Sequence, residues 1–231
     1  MLLIESPHNE RFKKLLKLST DNKFRRKSKL FIIEGLKEIR AALEHNYELE
    51  EVYIDDKYKT AFPEKEFDQV SVTILKHDLF SRLVYREDAS YILAVLKEPV
   101  LDLSQIQLPE NPLIIILENI EKPGNLGALL RTCDAVGADA VILSQDHHNF
   151  FHPNVIRSSV GTVFSNQIAY AGAEEIKLWC KENNIKVYAA ALQTDKFYTD
   201  MDYTSGTAFV FGAEDTGLTK FWREAADRII K

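Results

Sequence analysis

The residues of this chain best placed to do chemistry lie in two short stretches, 118–132 and 210–218. In the first, the apolar run 113–117 reads as a buried strand. Pro123 and Gly124 break the chain just past its end. Asn125 suits the cap of a following helix, and Gly127 lets another backbone approach closely. Arg131 comes one helical turn after Gly127, which predicts that it faces the same cleft. A guanidinium stays protonated, so Arg131 suits anchoring a phosphate and stabilising developing negative charge. The plainer alternative is a helix-surface arginine paired with Asp134. In the second stretch, Gly212 and Gly217 open a loop whose backbone groups can meet a ligand. Phe211, Gly212, Glu214, Gly217 and Leu218 are its candidate binding residues, and Glu214 could orient Arg131 or a neighbouring backbone; taken alone, the stretch reads as an ordinary strand-to-helix turn with Glu214 an exposed loop carboxylate. A strand, a Gly/Asn turn and a helix bearing one arginine is a ligand-site layout of α/β domains. It is not a dinucleotide GxGxxG, because only Gly124 and Gly127 are present and their spacing is wrong.

The elements that would position these groups fall in two blocks. In the first, 9–18 carries Phe12, Leu15, Leu16 and Leu18 at helical spacing, with Ser6 or Asn9 as cap. Strands are expected at 31–33, 51–54, 71–75 and 91–96, and helices after Glu34-Gly35 and over 76–83. That alternation predicts a small α/β domain over 1–97. Residues 98–112 hold Pro99, Pro109 and Pro112 and read as a linker. The second domain, 113–231, alternates strands (113–117, 140–143, 163–169, 186–191, 208–211) with helices (125–136, 173–183, 221–226). The pattern predicts a mostly parallel sheet with helices on both faces.

Charge is divided unevenly. The 231 residues carry a net charge of −6. Residues 1–40 hold 11 Lys/Arg against 5 Asp/Glu, and the remainder holds 18 against 30. Nine cationic side chains fall between Arg11 and Lys29 with only Asp21 opposing. Such a cluster is either a phosphate-binding footprint or a solvated helix face. As nucleic-acid contacts it offers Arg11, Lys14, Arg25, Arg26 and Lys27, with Arg157 a further candidate. No run is long enough for a membrane span and no secretory pattern opens the chain. Cys133 and Cys180 are too few for a disulfide scaffold, and Cys133 reads as a packed side chain. A cytoplasmic protein is expected. His147, His148 and His152 lack metal-ligand spacing and are read as a polar loop, so no metal is expected.

Three motifs resemble those of the SpoU/TrmH family of RNA ribose methyltransferases, in the SPOUT class. The first falls on Glu118, Pro123, Asn125, Gly127, Arg131 and Thr132, with Cys133 where alanine is usual. The second is Pro153-x-x-x-Arg157-Ser-Ser-x-Gly161. The third is Gly212-x-Glu214-x-x-Gly217-Leu218. In the first block, Ser6-x-x-Asn9, the Arg25/Arg26 pair, Phe31-x-x-Glu34-Gly35 and 85–95 are similar to the family's substrate-binding domain, whose fold is like a ribosomal protein that binds kinked RNA. The resemblance implies S-adenosylmethionine as cofactor and a ribose 2′-hydroxyl of rRNA or tRNA as target. It implies Arg131, Asn125 and Glu214 as catalytic residues, with Arg131 activating the 2′-hydroxyl as an alternative to the electrostatic role above, and Phe211, Gly212, Glu214, Gly217 and Leu218 as cofactor-binding. It also implies a homodimer through the C-terminal domain and a trefoil knot there.

The family pattern continues with Ile-Pro-Met and Ser-Leu-Asn, which would follow Lys231. By resemblance that segment makes the knot, closes the cofactor pocket and contributes to the dimer. Without it, weak cofactor binding and an exposed apolar strip around Ile229 and Ile230 are expected. Two other readings compete: a non-catalytic RNA-binding protein, and an α/β enzyme using another nucleotide, which the absence of GxxxxGK[ST] disfavours.

Overall fold

The computed structural model describes residues 1–85, 90–144 and 149–231. It divides into two units, Met1–Pro99 with Phe151–Phe164, and Val100–Phe150 with Ser165–Lys231.

Unit 1 begins with β1 (Leu2–Ile4), α1 (Glu10–Thr20), α2 (Asn22–Ser28), β2 (Leu30–Glu34) and α3 (Leu36–Glu44). It continues through β3 (Leu49–Asp55), β4 (Ser71–Leu75), α4 (His77–Phe80) and β5 (Ile92–Lys97). The sheet runs β1-β4-β3-β5-β2, parallel at β1/β4 and β4/β3 and antiparallel elsewhere. Helix α1 forms as its spacing predicts: Asn9 caps it by accepting the Arg11 N–H at 2.9 Å, and Phe12, Leu15 and Leu18 are buried. They join a core with Ile32, Tyr53, Leu93 and Val95 from the sheet.

Helix α2 is not visible in the apolar pattern, since NKFRRKS has one apolar residue. Asp21 starts it, accepting the Phe24 N–H at 3.0 Å, and Lys29 ends it in the left-handed region at φ 53°. Its inner face is Arg25, which is 1% exposed and donates from Nη1 to the Leu18 carbonyl at 2.7 Å. Burial holds the Arg25 guanidinium below its ordinary pKa. Arg25 therefore ties α1 to α2 from inside, and its assignment to an RNA surface is corrected. Arg26 and Lys27 remain exposed.

Unit 2 holds β6 (Leu113–Glu118), α5 (Pro123–Val136) and β7 (Ala140–Ser144). The chain then contributes α6 (Pro153–Ser159) and α7 (Thr162–Ser165) to unit 1. It returns as β8 (Ile168–Ala171), α8 (Ala173–Glu182), β9 (Lys186–Ala190), β10 (Thr207–Phe211), α9 (Lys220–Ala225) and β11 (Arg228–Ile230). All six strands are parallel, in the order β11-β9-β10-β6-β7-β8. The expected strand 163–169 is corrected: Val163 and Phe164 are helical, and the strand starts at Ile168. A short apolar run does not by itself separate the two states.

The segment read as a linker contributes to the unit 2 core. Leu103 is buried there with Ile106 and Leu108 packed beside it, and Leu101 accepts the Tyr170 N–H at 2.8 Å. At the other end, β11 pairs with β9, Ile230 is 3% exposed and Ile229 packs on the core. The expected exposed strip at 229–230 is thus corrected. No helix among the described residues is long and apolar enough to cross a membrane.

Because Arg25 fills the α1/α2 junction, Arg25→Ala should destabilise the fold by about 2–3 kcal/mol, through an unpaired Leu18 carbonyl and a cavity. Urea unfolding of the variant measures this. Unchanged stability would mean that the guanidinium is not structural.

Candidate functional site

Strands β6 and β10 are neighbours in register, Leu117 opposite Phe211, so their carboxyl ends deliver 118–122 and 212–219 to one place. Crevices beyond the carboxyl ends of parallel strands are where α/β sheets hold ligands. The loop after β10 is tight. Ala213 and Gly217 exchange backbone hydrogen bonds at 3.2 and 3.0 Å, and Gly217 has φ 67°. A Cβ on Gly212 would stand 2.2 Å from the Gly217 carbonyl carbon, so only glycine fits.

The loop is pinned from below by Glu118. Its side chain is fully buried at the end of β6, where it accepts the Thr219 N–H at 2.7 Å and the Thr219 hydroxyl at 2.9 Å. Glu118 thus joins the first motif to the third. The sequence signal for this role was an acid closing an otherwise apolar strand.

Above this junction lies a cleft of about 680 Å³, within the range of ligand pockets. Ile120, Asn125, Leu129, Phe211, Gly212 and Glu214 line it. Four of these, Asn125, Phe211, Gly212 and Glu214, were expected at a site, and the structure brings them together. Gly217 and Leu218 support the loop, with Leu218 buried in the core. Glu214 does not orient Arg131; it stands 3.5 Å from Lys122, an exposed pair worth little.

Asn125, Ala128, Leu129 and Thr132 are the cleft face of α5, spaced i, i+3, i+4, i+7. Leu126, Leu130 and Cys133 face the core. Arg131 lies on neither stripe. It is exposed, and its side chain makes no hydrogen bond or ion pair among the described residues. The expectation that Gly127 and Arg131 face this cleft is corrected: Gly127 is buried, and Arg131, six residues after Asn125, points about a third of a turn away from it around the helix. Pairing with Asp134 is not seen either, since Asp134 accepts the Ser165 hydroxyl at 2.6 Å. Cys133 is buried, and burial pushes its thiol up to about 11, which suits a packed side chain.

Unit 1 carries the cationic residues. Arg11 is exposed and donates to the Thr73 hydroxyl at 3.3 Å, and Lys14 is half-buried on α1. Arg157 sits on α6, which His152 caps by accepting the Asn154 N–H on Nδ1 at 3.1 Å. Its Nη1 donates to the Asn154 side-chain oxygen at 2.7 Å, its Nη2 is 3.5 Å from Glu34, and its guanidinium lies 4.0 Å over the Tyr85 ring. Burial and the nearby Arg25 and Arg157 charges lower the His152 pKa. His147, His148 and part of the 85–95 motif lie outside the described residues. No cluster suited to a metal occurs among the described ones.

A parallel six-stranded sheet with a ligand-sized crevice at its carboxyl edge gives unit 2 the architecture of an α/β domain. Residues 112–231 match the SpoU rRNA Methylase family, and 9–94 match the MRM3-like substrate binding domain. The chain belongs to the SpoU rRNA methylase family. It is 29% identical over 227 residues to a 23S rRNA (guanosine(2553)-2′-O)-methyltransferase of Bacillus subtilis, covering 98% of this chain and 88% of that one. A solved RNA 2′-O ribose methyltransferase is 30% identical with TM-score 0.80, over 99% of this chain and 88% of that chain. The SpoU methyltransferase AviRb from Streptomyces viridochromogenes, in complex with AdoMet, shares the fold at TM-score 0.89 and 24% identity, over 97% and 89% of the two chains.

Removing the Glu118 carboxylate strands two donors of Thr219, so Glu118→Ala should cost about 1–3 kcal/mol and Glu118→Gln less. Urea midpoints of the two variants test this, and equal midpoints for both would dismiss the pin. His152 supplies a pH dependence. Its folded pKa is depressed, so its contribution is full above its ordinary pKa of about 6.5 and is lost as pH falls from there through the lower folded value. His152→Asn keeps a capping side chain and should flatten the fall in stability between pH 7.5 and 5.5. An identical slope would exclude His152 as the titrating group.

Proposed function

We propose that this SpoU-family protein is an S-adenosylmethionine-dependent RNA methyltransferase acting on a ribose 2′-hydroxyl of ribosomal RNA. The observation that carries this reading is the cleft where Asn125 meets the Gly212–Gly217 loop, held together by Glu118 and Thr219. The ribosomal target is supported by the Bacillus subtilis 23S rRNA enzyme, to which the likeness extends over nearly the whole chain.

The residues present fit such a cofactor. Phe211 offers a partly exposed aromatic ring, Ile120 and Leu129 give apolar wall, and Asn125 gives an amide donor and acceptor. The side-chain-free Gly212 adds backbone. When bound, the cofactor supplies an electrophilic methyl group to the ribose oxygen.

The chain's own work is to hold the nucleotide and favour loss of the 2′-hydroxyl proton. Arg131 stays charged, so it acts by anchoring a phosphate and stabilising negative charge on the 2′-oxygen, not as a base. Its guanidinium on α5, exposed and without an ion-pair partner among the described residues, supports that role. Arg11, Lys14, Arg26, Lys27 and Arg157 are the RNA contacts of this reading. The reading includes a homodimer through unit 2. It also includes a cytoplasmic setting, consistent with two free cysteines.

Incubation with labelled S-adenosylmethionine and ribosomal RNA, followed by mapping of ribose methylation, tests the function. Arg131→Ala and Asn125→Ala should each lower kcat/KM by about a hundredfold with unchanged melting temperature. Arg131→Lys should recover little if two donors are used. Full turnover by Arg131→Ala would remove it from the reaction.

A further inference from the structure

We propose that a second cleft, in unit 1, is a pocket that reads one unpaired guanine of the RNA, separately from methyl transfer. It has a volume of about 350 Å³, at the small end for ligand pockets. Its polar lining includes Glu34, Glu38, Arg82, Tyr85, His152 and Arg157. The proposal rests on the RNA-binding reading of unit 1, and neither the cofactor cleft nor Arg131 takes part in it.

The geometry is that of a base site. Unpaired RNA bases are held by stacking on an aromatic ring or a guanidinium plane, with hydrogen bonds to their edges. Tyr85 is 71% exposed, with the Arg157 guanidinium 4.0 Å over its ring, so much of the ring is free to stack. Asn154 and Glu34 hold Arg157 in that plane at 2.7 and 3.5 Å. Glu34 also accepts the Tyr85 N–H at 3.1 Å, which fixes the platform against the end of β2. Gly35, at φ 99°, holds a backbone conformation beside it that residues with a Cβ rarely adopt. The Glu34-Gly35 pair, and Arg157 in the 153–161 motif, thereby meet in one cleft.

The donor set selects the base. Guanine offers acceptors at N7 and O6 and donors at N1–H and the N2 amine. Arginine only donates and a carboxylate only accepts, so Arg157 or Arg82 with Glu34 or Glu38 can satisfy both edges at once. His152 accepts the Asn154 N–H on Nδ1, which leaves Nε2–H as a further donor. Adenine has an acceptor at N1, which a carboxylate repels. Two carboxylates also disfavour a bare phosphate, and two guanidiniums disfavour a cation.

The test is fluorescence anisotropy of the full chain with labelled pentaribonucleotides UUGUU, UUAUU and UUIUU, where I is inosine, which lacks the N2 amine. UUGUU should bind about tenfold tighter than UUAUU, with UUIUU between. Glu34→Gln, nearly isosteric, should bring the three within about twofold of one another. Tyr85→Ala should weaken all three. Thermal melts confirm that each variant is folded. Equal wild-type affinities would overturn the proposal, as would a guanine preference that survives in Glu34→Gln. Methyl transfer to ribosomal RNA is measured in parallel. Loss of transfer with intact guanine preference would reject the methyltransferase reading alone, and the reverse would reject the pocket alone.

Discussion

A carboxylate buried at the end of a parallel strand is costly unless its oxygens are satisfied, and at Glu118 both are taken by one residue 101 positions later. That constraint shapes the active end of unit 2. With Thr219 held there, the chain between Phe211 and Leu218 must reverse in a few residues. The reversal brings Gly212 against the Gly217 backbone so closely that no side chain is tolerated. The cleft lies beside this crowded turn, between α5 and the end of β10.

Unit 1 solves a different problem. It concentrates positive charge on α1 and α2 while keeping the helices together. Placing Arg25 inside removes one charge from the crowded surface and uses its donor to hold the last turn of α1. The rest of the cationic side chains stay at the surface, where salt screens their repulsion. Arg157 is handled in a third way, clamped between a carboxylate, an amide and a ring. A guanidinium so fixed loses little further freedom on meeting a ligand, which favours selectivity over mere attraction.

The paired helix and strand ends also explain why single-residue geometry on α5 matters. Cleft, core and a third face share fourteen residues. Asn125 and Arg131 belong to one motif yet point in different directions, so a nucleotide engaged by both must span the rim of the helix. Motif membership reports common use, and the helical period decides which side chains share a wall.

Much of the architecture was legible in the chain. The parallel sheet of unit 2 followed from alternating apolar runs, and α1 from the spacing of Phe12, Leu15 and Leu18. The site stretches 118–132 and 210–218 were visible because glycine, proline and asparagine mark turns by their backbone limits. What sequence period could not decide was burial and partnership. It could not tell that Arg25 is inside while Arg26 is out, because both carry the same charge in a helix without an apolar stripe. It could not separate helix from strand in the short run around Val163 and Phe164. Nor could it place Ile230 in a sheet, join Glu118 to Thr219, or bring Glu34, Tyr85 and Arg157 into one cleft. Those depend on contacts between residues tens of positions apart, and only the folded chain sets which of them meet.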